Sequence, residues 1–165
     1  MTVAKPIRVV MVCTGNICRS PTAEAVLRAL AERLGLGDRL IVDSAGIEAY
    51  HVGAPPDTRS QEHARRRGYE LAALRARQVR PSDFDGGIDW LLAMDRWHLA
   101  ALKRRCAPAR HSSLRLLMDF SGKSGIEVPD PYYGGPEDFE RVLDLIEAGC
   151  EGLLQTLFKQ QADPI

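Results

Sequence analysis

The sequence has no apolar run near the roughly 20 residues that a membrane span needs, so no membrane insertion is expected. It has no surplus of either charge, with 22 Lys and Arg against 22 Asp and Glu. That balance argues against nucleic-acid and membrane-surface binding, both of which draw on a basic excess. Cysteine is scarce. Cys13, Cys18, Cys106 and Cys150 include no Cys-x2-Cys pair, and the one Cys-x4-Cys lacks a second cysteine or histidine cluster to close a zinc site. They read as free thiols of a reducing compartment, so neither a metal nor a disulfide framework is expected. The first six residues carry one Lys, and the apolar stretch behind them is too short for a signal core and has no cleavage site after it. A cytoplasmic location is expected. Neither GxxxxGK[ST] nor GxGxxG occurs, which leaves nucleotide-binding loops unsupported and gives no reason to expect a cofactor. There is no internal repeat, linker or low-complexity stretch.

What is present suits a soluble globular chain. At 165 residues, 45% apolar and 27% charged, the length implies one domain over 1–165 with a core that needs no staples. Ile7 to Val12 is apolar except for Arg8 and reads as a buried parallel strand. Ser20 and Pro21 predict a helix cap and first helical position. Apolar residues then recur at helical spacing until Gly35. Leu40 to Val42 opens a second strand that runs into Ser44-Ala45-Gly46. A turn-rich loop follows to Pro56, then a helix from about Asp57 to Arg67. Ile88 to Met94 predicts a third strand, Asp95 to Arg105 a helix, and Leu114 to Met118 a fourth strand. Phe120 to Pro136 is irregular, and a long helix from Glu137 to about Leu157 completes the pattern. Alternating strands and helices imply right-handed crossovers and an α/β fold, a four-stranded parallel sheet with helices on both faces. Ligands of such sheets bind beyond the carboxyl ends of the strands, where Cys13, Ser44, Asp95 and Asp119 all fall.

The segment Cys13-Thr14-Gly15-Asn16-Ile17-Cys18-Arg19-Ser20 joins the first strand to the first helix. A Cys with an Arg six residues later is weak evidence in a chain with 18 arginines, but the strand–loop–helix context strengthens it. A loop entering a helix N-terminus aims backbone N–H groups at one point, and the helix dipole adds positive charge. Gly15 and Asn16 tolerate the positive φ angles of a tight anion nest. Arg19 offers a planar fork for two phosphate oxygens. The same field favours a thiolate at Cys13, which could attack phosphorus in line and form a phospho-cysteine. Ser20 could donate to the sulfur as it leaves. A proton donor is also required, and by composition Asp95, Asp119 and Asp130 all compete for that part.

These residues carry a family resemblance. Val-Cys-Thr-Gly-Asn-Ile-Cys-Arg-Ser-Pro resembles the phosphate loop of the low-molecular-weight protein tyrosine phosphatases. The likeness continues through Asp43-Ser44-Ala45-Gly46, Arg77-Gln78, Ala93-Met94-Asp95 and Asp130-Pro131-Tyr132-Tyr133-Gly134. It implies Cys13 as nucleophile, Arg19 as clamp, and Thr14, Gly15, Asn16, Ile17, Cys18 and Ser20 as the phosphate-binding loop. The family's acid precedes a proline, which selects Asp130 and leaves Asp95 as a cap or supporting residue and Asp119 as a loop residue. Tyr132 and Tyr133 would wall the pocket mouth, Tyr50 would stand on its rim, and Ser44 would brace Asn16. Two positions depart from the pattern. Leu74 stands where some relatives have a His that contacts the loop Asn, and His98 replaces an Asn. His51, His63 and His111 are expected at the surface, and Arg65-Arg66-Arg67 at a solvated helix end. The implied partner is a phosphotyrosine-containing protein, and the implied assembly a monomer or weak dimer.

Two other readings compete. A thiol-based arsenate reductase shares the loop, but its redox cysteine pair is not matched by Cys106 and Cys150. A dead phosphate-binding module would have lost the nucleophile or the acid. Cys18, near Cys13 in the loop, is expected to rescue it from oxidation through a reversible disulfide. Substrate choice is expected to rest on Ile17 and the three tyrosines, which form a slot deep enough for a phenyl ring and too deep for phosphoserine. The arginine phosphatases that resemble this loop carry Thr at the Ile17 position. Ile17 would leave a guanidine unpaired, at about 1–3 kcal/mol, or roughly tenfold to hundredfold in specificity. Ile17→Thr should therefore shift kcat/KM toward phosphoarginine peptides; equal rates on phosphotyrosine and phosphoarginine in the wild type would defeat the slot argument.

Overall fold

A computed structural model of the chain describes residues 5–158. Four strands, β1 (Ile7–Cys13), β2 (Leu40–Gly46), β3 (Trp90–Ala93) and β4 (Leu114–Leu116), form one sheet in the order β2-β1-β3-β4. All three pairings are parallel, with Val9 opposite both Val42 and Trp90. Among the described residues four α-helices cover it: α1 (Arg19–Arg33), α2 (Thr58–Arg66), α3 (Arg96–Arg105) and α4 (Pro136–Leu157). Central strand β1 is buried on both faces, which is why its sequence is a continuous apolar run rather than an alternating one. Val9, Met11 and Cys13 point into the core shared with α1 and α4, while Val10 and Val12 point into the core shared with α3. The period-2 geometry of the strand thus decides on which side of the sheet the Cys13 thiol emerges.

Several element ends differ from expectation for local reasons. Helix α1 begins at Arg19 with Cys18 at the cap position, so Ser20 is not the cap. Pro21 falls inside the first turn, where its missing N–H has no intrahelical acceptor to lose. Strand β3 starts at Trp90, and just before it Asp89 accepts from the Arg8 amide at 2.8 Å. Strand β4 stops at Leu116 because Leu117–Phe120 winds into a 3-10 turn, closed when Asp119 accepts from the Leu116 amide at 3.2 Å. Asp119 is therefore a turn-closing residue rather than a free loop side chain. Helix α2 is capped by Asp57, which accepts from the amides of Arg59 (2.8 Å) and Ser60 (3.2 Å). Arg67, expected in water, is instead three-quarters buried against α4, where it pairs with Glu140 (2.6 Å), Glu147 (2.7 Å) and Asp144 (2.9 Å). His63 is buried too, stacked on Phe139 and bonded to Glu140.

Helix α4 lies against the Leu117–Phe120 turn, and one residue permits the approach. A Cβ built on Gly152 would overlap the Phe120 carbonyl oxygen, a backbone atom that cannot swing away. Gly152→Ala is expected to lower stability by about 1–3 kcal/mol despite alanine's better helix propensity. Urea unfolding measures it; a stabilised variant would show that α4 shifts without cost.

Candidate active site

The loop expected to bind phosphate occupies residues 14–18, between the end of β1 and the start of α1. Among the described residues, none accepts a hydrogen bond from the backbone amides of Gly15, Asn16, Ile17 or Cys18. Asn16 is the only non-glycine described residue with positive φ, at 60°, and its carboxamide is fully used. Oδ1 accepts from the Arg77 amide at 3.0 Å, while Nδ2 donates to Ser20 Oγ at 2.7 Å and Ser44 Oγ at 2.9 Å. Ser44 in turn donates to the buried Glu24 carboxylate at 2.6 Å. The brace is thus completed by a backbone amide, and Leu74, which stands where some relatives have a His, packs against the core. Gly15 does not take positive φ. Its lack of a side chain serves His51, whose Cδ2 would lie 2.7 Å from a Cβ there. Gly46 plays a similar part, since its Cβ would meet the Thr14 carbonyl oxygen at 2.8 Å.

Cys13 is buried, with Sγ 2.9 Å from Ser20 Oγ. Ser20 Oγ accepts from Asn16 at 2.7 Å, and its own proton has two acceptors in reach, the Cys13 sulfur at 2.9 Å and the Ala45 carbonyl at 3.4 Å. Arg19 is almost wholly buried. Its Nη1 donates to Asp95 Oδ2 at 2.8 Å and to the Val128 carbonyl at 3.0 Å, and its Nη2 lies 3.8 Å from Asp130 Oδ2. Burial alone would push the Asp95 carboxyl up, but bonds from the His98 amide and Arg19 outweigh it and hold it below the usual range. Asp130 is about half exposed and accepts from the Tyr132 amide at 3.0 Å. Its segment is tied down two residues earlier, where the Val128 amide donates to the Met94 carbonyl at 2.9 Å.

Cys13, Arg19, Ile17, Tyr50, Asp130, Tyr132 and Tyr133 line one cleft of about 410 Å³. Tyr132 and Tyr133 meet edge to face with ring centres 4.9 Å apart. A larger apolar hollow of about 470 Å³ lies between the C-terminal ends of α1 and α4, but it carries no nucleophile, so the chemistry belongs to the smaller cleft. Sequence reasoning placed His51 on the surface; it lines the cleft beside Tyr50, and that neighbour was the available signal. It also missed Arg59, whose guanidinium sits 5.4 Å from the Tyr132 ring centre and 4.7 Å from that of Phe139.

A covered parallel sheet that brings a cysteine and an arginine to one cleft at its carboxyl edge is the arrangement of a cysteine-dependent phosphatase of the α/β class. The chain belongs to the low molecular weight phosphotyrosine protein phosphatase family, whose pattern it matches over residues 8–163. It is 42% identical to the low molecular weight protein-tyrosine-phosphatase YfkJ of Bacillus subtilis, across 94% of this chain and 98% of that one. The crystal structure of YfkJ superposes with a TM-score of 0.88 over 96% of this chain and 98% of that one. The human low molecular weight phosphotyrosine protein phosphatase is 36% identical, over 89% and 93%. A Drosophila arginine phosphatase structure matches at 31% identity and a TM-score of 0.84, covering 92% of this chain and 98% of that one.

His98 is fully buried beside Arg19, and burial together with that guanidinium pulls its imidazole down to about 4. An unfolded chain would hold the same group near 6.5. Between those values the unfolded state binds a proton that the folded state refuses, so stability falls as pH falls through the window. Asp95, depressed as well, loses its contribution at still lower pH. Urea unfolding from pH 7 to pH 4 should show a loss on the order of 3 kcal/mol from His98, and His98→Gln a shallower decline. Parallel curves would mean that His98 titrates freely in the folded protein.

Proposed function

We propose that the enzyme hydrolyses phosphotyrosine at Cys13 in two steps. The amides of the 14–18 loop and the Arg19 fork take the three non-bridging phosphate oxygens. The Cys13 thiolate attacks phosphorus, and the phosphorus–oxygen bond to the ring breaks as Asp130 gives its proton to the leaving tyrosine oxygen. Asp130, now a carboxylate, takes a proton from water, which attacks phosphorus and expels the sulfur. Ser20 stabilises that sulfur by donating to it. Phosphate and free tyrosine leave, and Asp130 is again protonated. The observation that carries this reading is the convergence of Cys13, Arg19 and Asp130 on one cleft walled by Ile17, Tyr50, Tyr132 and Tyr133.

The natural partner on this reading is a phosphotyrosine protein met in the cytoplasm by a monomer or weak dimer. No described helix is long and apolar enough to cross a membrane. A thiol relay for arsenate finds no support, because Cys106 and Cys150 are buried in separate cores on opposite faces of the sheet. Cys18 lines the cleft with Cys13, and burial first, then Asp57, pushes its thiol up to about 12. It therefore waits as a thiol. If peroxide converts Cys13 to the sulfenic acid, the Cys18 thiol can displace water to give a disulfide that reductant reverses.

Cys13→Ser should lower phosphotyrosine turnover by roughly a thousandfold or more while retaining inhibition-level phosphate binding. Arg19→Lys should be severely impaired because an ammonium cannot reproduce the fork, and Asp130→Asn should lose about a hundredfold to ten-thousandfold. Wild-type turnover in the serine variant would remove Cys13 from the mechanism. After peroxide and then reductant, wild type should recover more activity than Cys18→Ser; equal recovery would rule out the protective thiol.

A further inference from the structure

His98 is one of the two departures from the family pattern and has no place in the chemistry just described. It follows the Asp95 cap in the first turn of α3, and its backbone amide donates to Asp95 Oδ1 at 3.0 Å. Its ring is wholly buried and reaches the phosphate loop, where Nε2 lies 2.8 Å from Thr14 Oγ1. Nδ1 faces Asp95 Oδ1 at 3.1 Å. That contact is bent, so Nδ1 is the one buried side-chain nitrogen or oxygen among the described residues without an aligned partner. On the other side, Arg19 Nη2 stands 3.5 Å from Nε2.

The surroundings select one protonation state. A proton on Nε2 would face the N–H groups of Arg19 and leave the Nδ1 lone pair against a carboxylate. A proton on Nδ1 instead points toward Asp95 and leaves Nε2 bare, able to accept from the Thr14 hydroxyl and to tolerate Arg19. The charged groups facing the ring are Arg19 from α1, Asp95 from its own element and Asp130 from the acid segment, and the neutral ring is favoured by burial beside Arg19.

We propose that neutral His98 is a positioning residue, which holds Thr14 of the phosphate loop from α3 and braces the Asp95–Arg19 pair from the same ring. The inference rests on the phosphatase reading above. Its reach is specific to a six-atom side chain: Nε2 must span from α3 to the loop, and a shorter carboxamide stops at the Nδ1 position. The Thr14 end fixes the loop that receives phosphate, so its loss weakens phosphate binding in both the ground state and the transition state. That raises KM more than it lowers kcat.

The two ends of the ring can be separated. Gln places a polar atom near Nε2 and keeps the Thr14 contact, whereas Asn places one near Nδ1 and loses it. Competitive inhibition by inorganic phosphate and phosphotyrosine kinetics are measured at pH 7 for wild type, His98→Gln, His98→Asn, His98→Leu, Thr14→Val and the double variant Thr14→Val/His98→Asn. All values are normalised to active sites counted from the burst of tyrosine release. His98→Asn, His98→Leu and Thr14→Val are each expected to weaken phosphate inhibition about tenfold, with His98→Gln within threefold of wild type and the double variant no weaker than either single one. Unchanged phosphate inhibition across the series, failure of Gln to rescue, or additive losses in the double variant would overturn the inference. Thr14→Val keeps the α3 core intact, so it answers the question even where a His98 variant folds poorly. Wild type against Cys13→Ser in the same assay reports on the phosphatase reading itself, so failure there is read apart from failure of His98.

Discussion

The site depends on Asn16 being held in a left-handed backbone conformation by three hydrogen bonds to its own side chain. An L-residue with φ near 60° sits in a region that costs of order 1 kcal/mol outside glycine, and it persists where the surroundings over-determine it. Here the partners come from three different elements: Ser20 in α1, Ser44 in β2 and the Arg77 amide in the loop after α2. Reversing the chain at Asn16 accompanies a loop whose amides at Gly15, Asn16, Ile17 and Cys18 are given no acceptor among the described residues. The same carboxamide donates to Ser20 Oγ, the hydroxyl that lies 2.9 Å from the Cys13 sulfur. The shape of the loop and the placement of a hydroxyl beside the sulfur thus share one cause.

Charge balance is the second constraint. Arg19 must carry its guanidinium almost fully buried, and a lone buried cation would be costly. Asp95 supplies the counter-charge, and the Val128 carbonyl takes a further donor. Because Val128 is also pinned to Met94, Arg19 and the segment that carries Asp130 are positioned by one set of bonds. Asp130 remains partly in water and only 3.8 Å from Nη2, close enough to serve the cleft without being consumed as the structural partner of Arg19. The neutral His98 between Thr14 and Asp95 adds no charge to this balance.

Much of this was legible in residue order because the loop is local. Cys13, Arg19 and the helix start lie within seven residues, and the strand before them announces itself by an unbroken apolar run. The order of strands and helices was legible for the same reason, since alternating periodicities leave few sheet topologies. Boundaries shifted where side chains overrode propensity, as with the 3-10 turn that Asp119 closes after β4. The histidines were the poorest reading. His63, His51 and His98 owe their environments to α4, Gly15 and Thr14, residues 77, 36 and 84 positions away, and no local pattern encodes such contacts. Arg67 was misread for the same reason, because its acidic partners lie on a helix more than seventy residues later.

The sequence by itself determined the reaction class, since Cys13, Arg19 and the start of α1 belong to one contiguous segment whose geometry follows from strand, loop and helix. It also determined the sheet, through the apolar runs that must be covered on both faces. Only the tertiary structure decided how the loop is braced, which carboxylate neutralises Arg19, and what surrounds the histidines. Those outcomes depend on distances between segments that are remote along the chain. Packing sets such distances, and it can replace a side-chain partner with a backbone amide, as Arg77 does for Asn16, without leaving a trace in local sequence.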